Sequence, residues 1–550
     1  MILNAVVDSL GELLDRGALF VEGHWPALLV IAAAVAVGKR FRFPPALAER
    51  WRSIASRRLA PYAIAALLSL TLSAGAAVFH GLPLPSAHDD YAYLLTGEFL
   101  AHGHTSAPTH PMWQHLEAIH ILEVPRYSGK YQPGPGAVLA VGSFLFHTPI
   151  AGVWLCIAAA CVAILWMLRA FVAAEWALLG AALFAIHPTV FEWSHSYHSG
   201  ALAVAGGAFV IGGARRLVIA PTRAAGAALG FGGFALAASR PYEGLVLFAM
   251  VALAISVACS RAALAAVVVA AIVGTCGLML LLAYNRSITG SITQMPYSIY
   301  EGQYDPVPNF LWQQMRPIPN YRSEELANFY NFCAAYFRRL HAPGGFSAEW
   351  AKKFDVMRRA LTGEPAGFDL VLYLPLLALP WAWRDRTISA AIVALIIFAG
   401  STLLIVWWMQ LHYLAPAAGL ATLVVIALLR AGVSLPRGPA LVSAVIVVFA
   451  GVAAANGIRY ARSAESGPEV NRARIAAALT KKGGEHVILV PQSVFNYVHN
   501  GCDIDRQPVV WARSLGPEED ARLMNHFPTR SVWKLDAAAG DRLISVRRPR

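Results

Sequence analysis

Charge is what this chain has least of: Asp, Glu, Lys and Arg make up 14% of its 550 residues, against about a quarter in soluble domains. That scarcity excludes a single water-soluble core as the whole protein. Paired cysteines are missing too. The six cysteines, Cys156, Cys161, Cys259, Cys276, Cys333 and Cys502, contain no CxxC and no Cys/His group at metal-ligand spacing, which excludes a finger-type zinc site. Only Cys333 and Cys502 fall in polar stretches, where one disulfide between them stays open. No internal repeat or low-complexity segment is present. Residues 1–20 carry Asp8, Glu12 and Asp15 instead of the basic start of a signal peptide, so the first apolar segment is expected in the mature protein. The net charge of +12 is dispersed among apolar runs and not interleaved with aromatics, which argues against nucleic acid as a partner.

What the chain does have is apolar length. Hydrophobic residues reach 57%, in recurring runs long enough for a hydrocarbon core about 30 Å thick. These predict an α-helical polytopic membrane protein with about twelve spans: 24–38, 60–80, 148–168, 175–188, 199–214, 224–238, 242–259, 262–283, 367–383, 387–409, 413–429 and 439–457. The Gly-rich stretch 134–147 is too short to cross and reads as a re-entrant or interfacial piece. Lys and Arg set the orientation, because short cytoplasmic loops retain positive charge. They crowd the 39–58 connection and every second connection after it, ending at Arg430 and Arg437; the alternate short connections hold only Arg126, Lys130 and Arg240. Loop 81–133, the 188–198 turn, the long loop 285–366, His412 and the tail then share the outer side. The Ala- and Arg-rich style points to a bacterial inner membrane with that side facing the periplasm. The division expected is a transmembrane catalytic domain over 1–457 and a small extracytoplasmic α/β domain over 458–550. In the tail, 467–482 and 517–527 read as helices, and HVILV at 486–490 and PVVWA at 508–512 as strands.

The unusual residues gather on the outer side. His88-Asp89-Asp90-Tyr91 follows the second span; adjacent carboxylates at a membrane surface repel each other and need a cation, a basic group or a reacting hydroxyl. The plain alternative is that Asp89 caps a helix from Tyr91 to Ala101. In Arg126-Tyr127-Ser128-Gly129-Lys130-Tyr131-Gln132-Pro133, Lys130 is a point charge suited to phosphate and Tyr131 offers a hydroxyl, although an ordinary interfacial turn would look the same. His187, Glu192, His195 and His198, with His102, His104, His110, His115 and His120, put imidazoles on one side without diagnostic metal spacing. Arg240 either snorkels to headgroups, pairs with Glu243 or binds an anion. Tyr284, Asn285 and His412 have groups able to hydrogen-bond a sugar or acceptor.

Asp89-Asp90-Tyr91 in the first outer loop, Lys130-Tyr131-Gln132-Pro133-Gly134-Pro135 before the next span, and the many-helix topology together resemble the C-type glycosyltransferases (GT-C superfamily). That group includes the protein O-mannosyltransferases and the bacterial lipid A aminoarabinose transferases. The similarity covers about 60–290, with Asp90 standing where the family often has Glu, and Tyr131-Gln132 intervening in a Lys-Pro-Pro-type segment. It implies inverting transfer of a hexosyl or pentosyl group from a polyprenyl-phosphate donor to a glycan, lipid or protein acceptor at the outer face. Asp89 would be the base, and Asp90 would orient the site or hold a divalent cation such as Mg, Mn or Zn. Lys130, Tyr131 and Arg240, with Arg126 in reserve, would hold the donor phosphate; His195, His198, Tyr284, Asn285 and His412 would line the substrate. A transporter or flippase is the alternative from another class, but it usually carries charges or broken helices at mid-membrane, which this chain nearly lacks. An O-antigen polymerase or ligase usually places its arginines and histidine in late loops.

Overall fold

The computed structural model describes residues 24–38, 40, 44–363, 368–463, 467–538 and 540–547. Inside hydrocarbon each backbone N–H and C=O must find its partner within the segment, so apolar runs fold as helices. All twelve apolar segments are helical over much of their length, but length corrects the span count. Among the described residues, seven helices are long and apolar enough to cross: Ala60–His80, Pro149–Leu168, Gly200–Ile219, Pro241–Ala258, Arg261–Thr289, Ala415–Val433 and Gly438–Arg462. An eighth would be Ala174–Ala185 with Pro188–Ser194, bent by 56° where His187-Pro188 breaks the hydrogen-bond ladder.

His24–Gly38, Pro133–Phe146, Asp369–Ala382 and Arg386–Thr402 are apolar but short. At 1.5 Å per residue even the 17 residues of Arg386–Thr402 reach only about 26 Å. Arg223–Ala237, also expected as a span, has 15 residues and packs chiefly between Gly200–Ile219 and Leu264–Thr289. Glycine permits that approach: a Cβ on Gly232 would stand 2.6 Å from the Gly206 carbonyl oxygen. Large apolar side chains such as Val78, Phe79, Val257 and Leu280 remain exposed on the helix surfaces, as a lipid-facing belt requires and a water-facing surface does not.

The loops expected on the outer side are folded. The first carries the helix His88–Ala101 and a small antiparallel sheet, β1 (Ala107–Pro108), β2 (Ile121–Leu122) and β3 (Arg126–Gly129), in the order β1-β3-β2. The 285–366 segment contains helices Pro296–Tyr304, Glu324–Leu340 and Gly345–Thr362. The last span continues to Arg462, so the tail domain starts after that residue and not at 458. It comprises Pro468–Lys482, β4 (His486–Val490), β5 (Val509–Arg513), the helix Pro517–His526, β6 (Ser531–Asp536) and β7 (Arg542–Ser545). The strands run in the order β5-β4-β6-β7, with the first three parallel and β7 antiparallel. β4 and β5 are buried at every position, and four of the five residues in each are apolar, as strands covered on both faces require.

This domain is joined to the outer loops by buried polar contacts. Arg513 pairs with Glu325, and both are buried; Glu325 also accepts the Asn496 backbone N–H, and its own N–H donates to the Gln492 carbonyl at 3.0 Å. Asn496 Nδ2 donates to Ser86 O at 3.1 Å, and the His499 ring stacks on Tyr91 with centroids 3.7 Å apart. The disulfide left open by the sequence does not form: Cys333 and Cys502 are both free thiols, Cys333 fully buried among apolar neighbours.

Candidate functional site

The helix His88–Ala101 opens with Ala87 at its N-cap, a residue with no side-chain acceptor for the orphan amides there. Asp90 supplies it from the third helical position. Its Oδ2 accepts the N–H groups of Ser86 at 3.1 Å and Ala87 at 3.2 Å, and its Oδ1 accepts Tyr197 N–H at 3.3 Å. His198 Nδ1 lies 2.9 Å from the same Oδ1. The capping role expected as the plain alternative therefore falls to Asp90, and Asp89 is released from it. A carboxylate has about four lone-pair positions, and three amides and an imidazole take them, so Asp90 is ill-suited to the metal ion that the resemblance allowed.

Asp89 turns the other way, into a cavity of about 380 Å³. Its Oδ1 accepts the Tyr131 hydroxyl and lies 2.5 Å from His120 Nδ1; its Oδ2 has His198 Nε2 at 3.9 Å. Burial alone would raise the Asp89 carboxyl, but His120, His198 and Tyr131 hold it well below the usual carboxylate range. Burial, with Lys130, lowers His120, so its neutral ring presents Nδ1–H to the carboxylate. His198 moves the other way: burial opposes its charge, and Asp90 with Asp89 outweighs burial and raises it. Asp89 is thus held ionised, with Oδ1 anchored by short contacts and Oδ2 in a longer one, to His198 at 3.9 Å.

Lys130 follows β3, which passes close over the helix because Gly129 has no side chain: a Cβ there would meet Ala92 O at 2.4 Å. Lys130 lines the same cavity but is not the free cation expected. Its Nζ lies 2.9 Å from Glu301 Oε1, both side chains are buried, and the Tyr131, Tyr297 and Tyr300 rings surround it at 4.7–5.2 Å. Asp305, one helical turn beyond Glu301, is pushed up by burial and by the Glu301 charge. Arg240 is the less committed cation. Its Nε donates to Ser199 Oγ at 2.7 Å, its guanidinium stands 5.1 Å from the Tyr413 ring centre, and Glu243 is 3.9 Å away. Tyr93, Tyr297, Trp407, Trp408, Phe329 and Tyr413 complete the aromatic wall.

A second cavity, of about 710 Å³, lies across His198 and His412 and is lined by Asp90, Glu192, His195, His198, His412 and Tyr460. It shares Gln410 and His412 with the first, and Thr189, Trp193 and Leu411 with an apolar chamber of about 340 Å³ among the helices. Burial holds His412 well below the ordinary histidine value, with Arg240 adding to the effect.

Asp89, Lys130, Tyr131, Arg240 and His412 therefore meet in one cavity, and Asp90, His195 and His198 line its neighbour. Three sequence candidates lie elsewhere. Arg126 is on β3 and donates to Ser106 Oγ at 2.8 Å; Asn285 Nδ2 donates to Ile292 O at 3.3 Å; Tyr284 is buried behind Tyr131, its hydroxyl donating to the Tyr131 carbonyl at 3.4 Å. None of the three lines either cavity. Sequence reasoning missed Glu301, Asp305, Trp407 and Trp408 as site residues, reached Tyr297 only as the end of the polar and aromatic stretch 284–297, and counted His120 only among the imidazoles. The one available signal was Glu301 and Asp305, carboxylates one helical turn apart in an aromatic stretch of an outer loop.

No family model matches this chain, and no curated protein does. Among solved structures, ArnT from Cupriavidus metallidurans in the apo state superposes with a TM-score of 0.50 at 12% identity, covering 87% of this chain and 92% of that one. An Archaeoglobus fulgidus oligosaccharyltransferase in complex with Zn and sulfate gives 0.48 at 14%, covering 78% and 60%. AglB from the same organism, with an inhibitory peptide and a dolichol-phosphate, gives 0.46 at 10%, covering 87% and 69%. At 12% identity the likeness to ArnT is one of fold, and it runs over nearly the whole of both chains: this protein shares the fold of that structure.

Proposed function

We propose that the protein is a glycosyltransferase that moves a sugar from a polyprenyl-phosphate donor to an acceptor at the outer face of the bacterial inner membrane, with inversion. The observation that carries this reading is the setting of Asp89: a carboxylate held ionised, anchored through Oδ1 by Tyr131 and His120, with His198 3.9 Å from Oδ2, on the wall of an aromatic-lined cavity that also holds Arg240. An acceptor hydroxyl bonded to Oδ2 transfers its proton there as its oxygen attacks the anomeric carbon. The bond from that carbon to the phosphate oxygen breaks on the opposite side. Negative charge then develops on the departing phosphate, which Arg240 is placed to stabilise. Lys130 joins only if phosphate displaces Glu301. Tyr and Trp faces suit the apolar face of a sugar ring. The second cavity, which shares Thr189, Trp193 and Leu411 with an apolar chamber, favours an acceptor that is itself carried on a lipid. No step requires a metal ion, and Asp90 does not fit one.

The test is lipid analysis of a deletion strain complemented with wild type or with Asp89→Asn. Loss of the protein is expected to accumulate a polyprenyl-phosphate sugar and to remove a surface glycan modification. Asp89→Asn should remain in the membrane yet lose transfer by about 10²–10⁴-fold, the usual range for a general base. Unchanged lipids and glycans in the deletion strain would sink the reading.

A further inference from the structure

We propose that His110, Asp505 and His526 form a zinc site fastening the C-terminal domain to the first outer loop, apart from the cavities described above. His110 follows β1, Asp505 lies in the loop before β5, and His526 ends the helix Pro517–His526. Residues nearly 400 positions apart in the chain thus present side chains to one point.

The geometry suits a tetrahedral ion. Asp505 Oδ1 lies 3.2 Å from His110 Nε2 and 3.5 Å from His526 Nε2, and all three atoms lie within 4.8 Å of one another. With metal–ligand bonds of about 2.0–2.1 Å, neighbouring ligand atoms in a tetrahedral zinc site stand about 3.3–3.4 Å apart, which brackets both contacts to within about 0.2 Å. Two imidazoles and a carboxylate are a zinc donor set. Asp505 and His526 are partly exposed, so the ion has an entry path and a side open to a fourth, water ligand.

A proton competes for the same place. Met112 N–H donates to His110 Nδ1 at 3.0 Å, which puts the ring proton on Nε2, facing Asp505. That arrangement joins His110 to Asp505 but leaves His526 at 3.5 Å, beyond a good hydrogen bond. Zinc engages all three side chains, moves the ring proton to Nδ1 and releases the Met112 amide. The site holds together two elements that already touch, since the His110 ring stacks on Phe527 and the neighbouring His115 Nδ1 pairs with Arg513 O at 2.7 Å.

Purified full-length protein in detergent, stripped with chelator and dialysed against zinc chloride, provides the test. Zinc content by mass spectrometry should approach one ion per chain. Tm should rise with zinc and fall with chelator. Asp505→Asn and, separately, the partly exposed His526→Gln should each weaken zinc binding at least tenfold and abolish the zinc-dependent Tm shift; either variant suffices if the other fails to fold. Zinc near zero per chain, or equal zinc retention by wild type and both variants, overturns the proposal. So does a Tm loss in the variants that is the same with and without zinc, because that is what a proton-filled hydrogen bond alone predicts. None of these readouts uses glycosyl transfer, so the zinc site stands or falls independently of the proposed activity.

Discussion

The adjacent carboxylates Asp89 and Asp90 differ in what reaches them. Asp90 is consumed by backbone: Asp90→Ala leaves the buried Tyr197 N–H unmet and hands the N–H groups of exposed Ser86 and half-buried Ala87 to water. A buried unmet group costs about 1–3 kcal/mol, so a fall in Tm is expected before any question of chemistry arises. Asp89 depends on Tyr131 and His120 for its low pKa. Tyr131→Phe removes the hydroxyl and should raise that pKa, moving the acidic limb of the pH–rate profile upward while basic-side activity is kept; an unmoved limb would show that Asp89 is not the titrating base. The two partners of the site respond to pH in opposite senses. Asp89, with a lowered folded pKa, adds stability that is present above its unfolded value near 4 and is lost as pH falls through the folded value. His198, with a raised folded pKa, adds stability that is fully present below about 6.5 and fades as pH rises through the folded value. Thermal scans of wild type and His198→Asn between pH 5 and 9 should therefore converge at the alkaline end.

At the scale of elements, the site depends on β3 lying against the helix His88–Ala101 and on the helix Pro296–Tyr304 closing over it. Lys130 and Glu301 tie these together as a buried pair. Removing one partner of a buried pair typically costs about 3–5 kcal/mol, because the other charge is left without compensation. Lys130→Met should therefore destabilise strongly, and Lys130→Met/Glu301→Leu should recover much of the loss, as measured by Tm. If the double variant is stable and still transfers sugar at near wild-type rate, Lys130 is a structural cation and the phosphate belongs to Arg240. A large rise in KM for the donor would restore Lys130 to the phosphate. The sequence made Lys130 visible as one of three basic residues on the alternate connections, but its partner lies 171 residues away, a separation at which no local spacing speaks. His120 was hidden for a different reason. It adopts φ 67°, an uncommon left-handed backbone for a residue with a side chain, and an apolar stretch such as Ala118-Ile119-His120-Ile121 gives no warning of that.

For the whole molecule, Arg513 and Glu325 join the C-terminal sheet to the outer helices. Arg513→Met should leave Glu325 buried without its cation, lower Tm and release a C-terminal fragment early in limited proteolysis, whereas Arg513→Met/Glu325→Leu should resist. An unchanged digestion pattern in the single variant would mean that the ion pair does not hold the domain. The sequence by itself determined the class of the protein. Hydrocarbon demands apolar runs with self-paired backbones, the count of Lys and Arg predicted one face for the unusual loops, and the largely apolar stretches at 486–490 and 508–512 announced strands. These are local or additive properties, legible one segment at a time. Tertiary structure decided which runs are long enough to cross, and which aspartate caps and which stays open. It also decided whether Lys130 is free, and that residues as distant as His110 and Asp505 converge. Those outcomes turn on which side chain meets which across the fold, and hydrogen-bond and Coulomb energies depend on separations of a few ångström that sequence spacing does not encode.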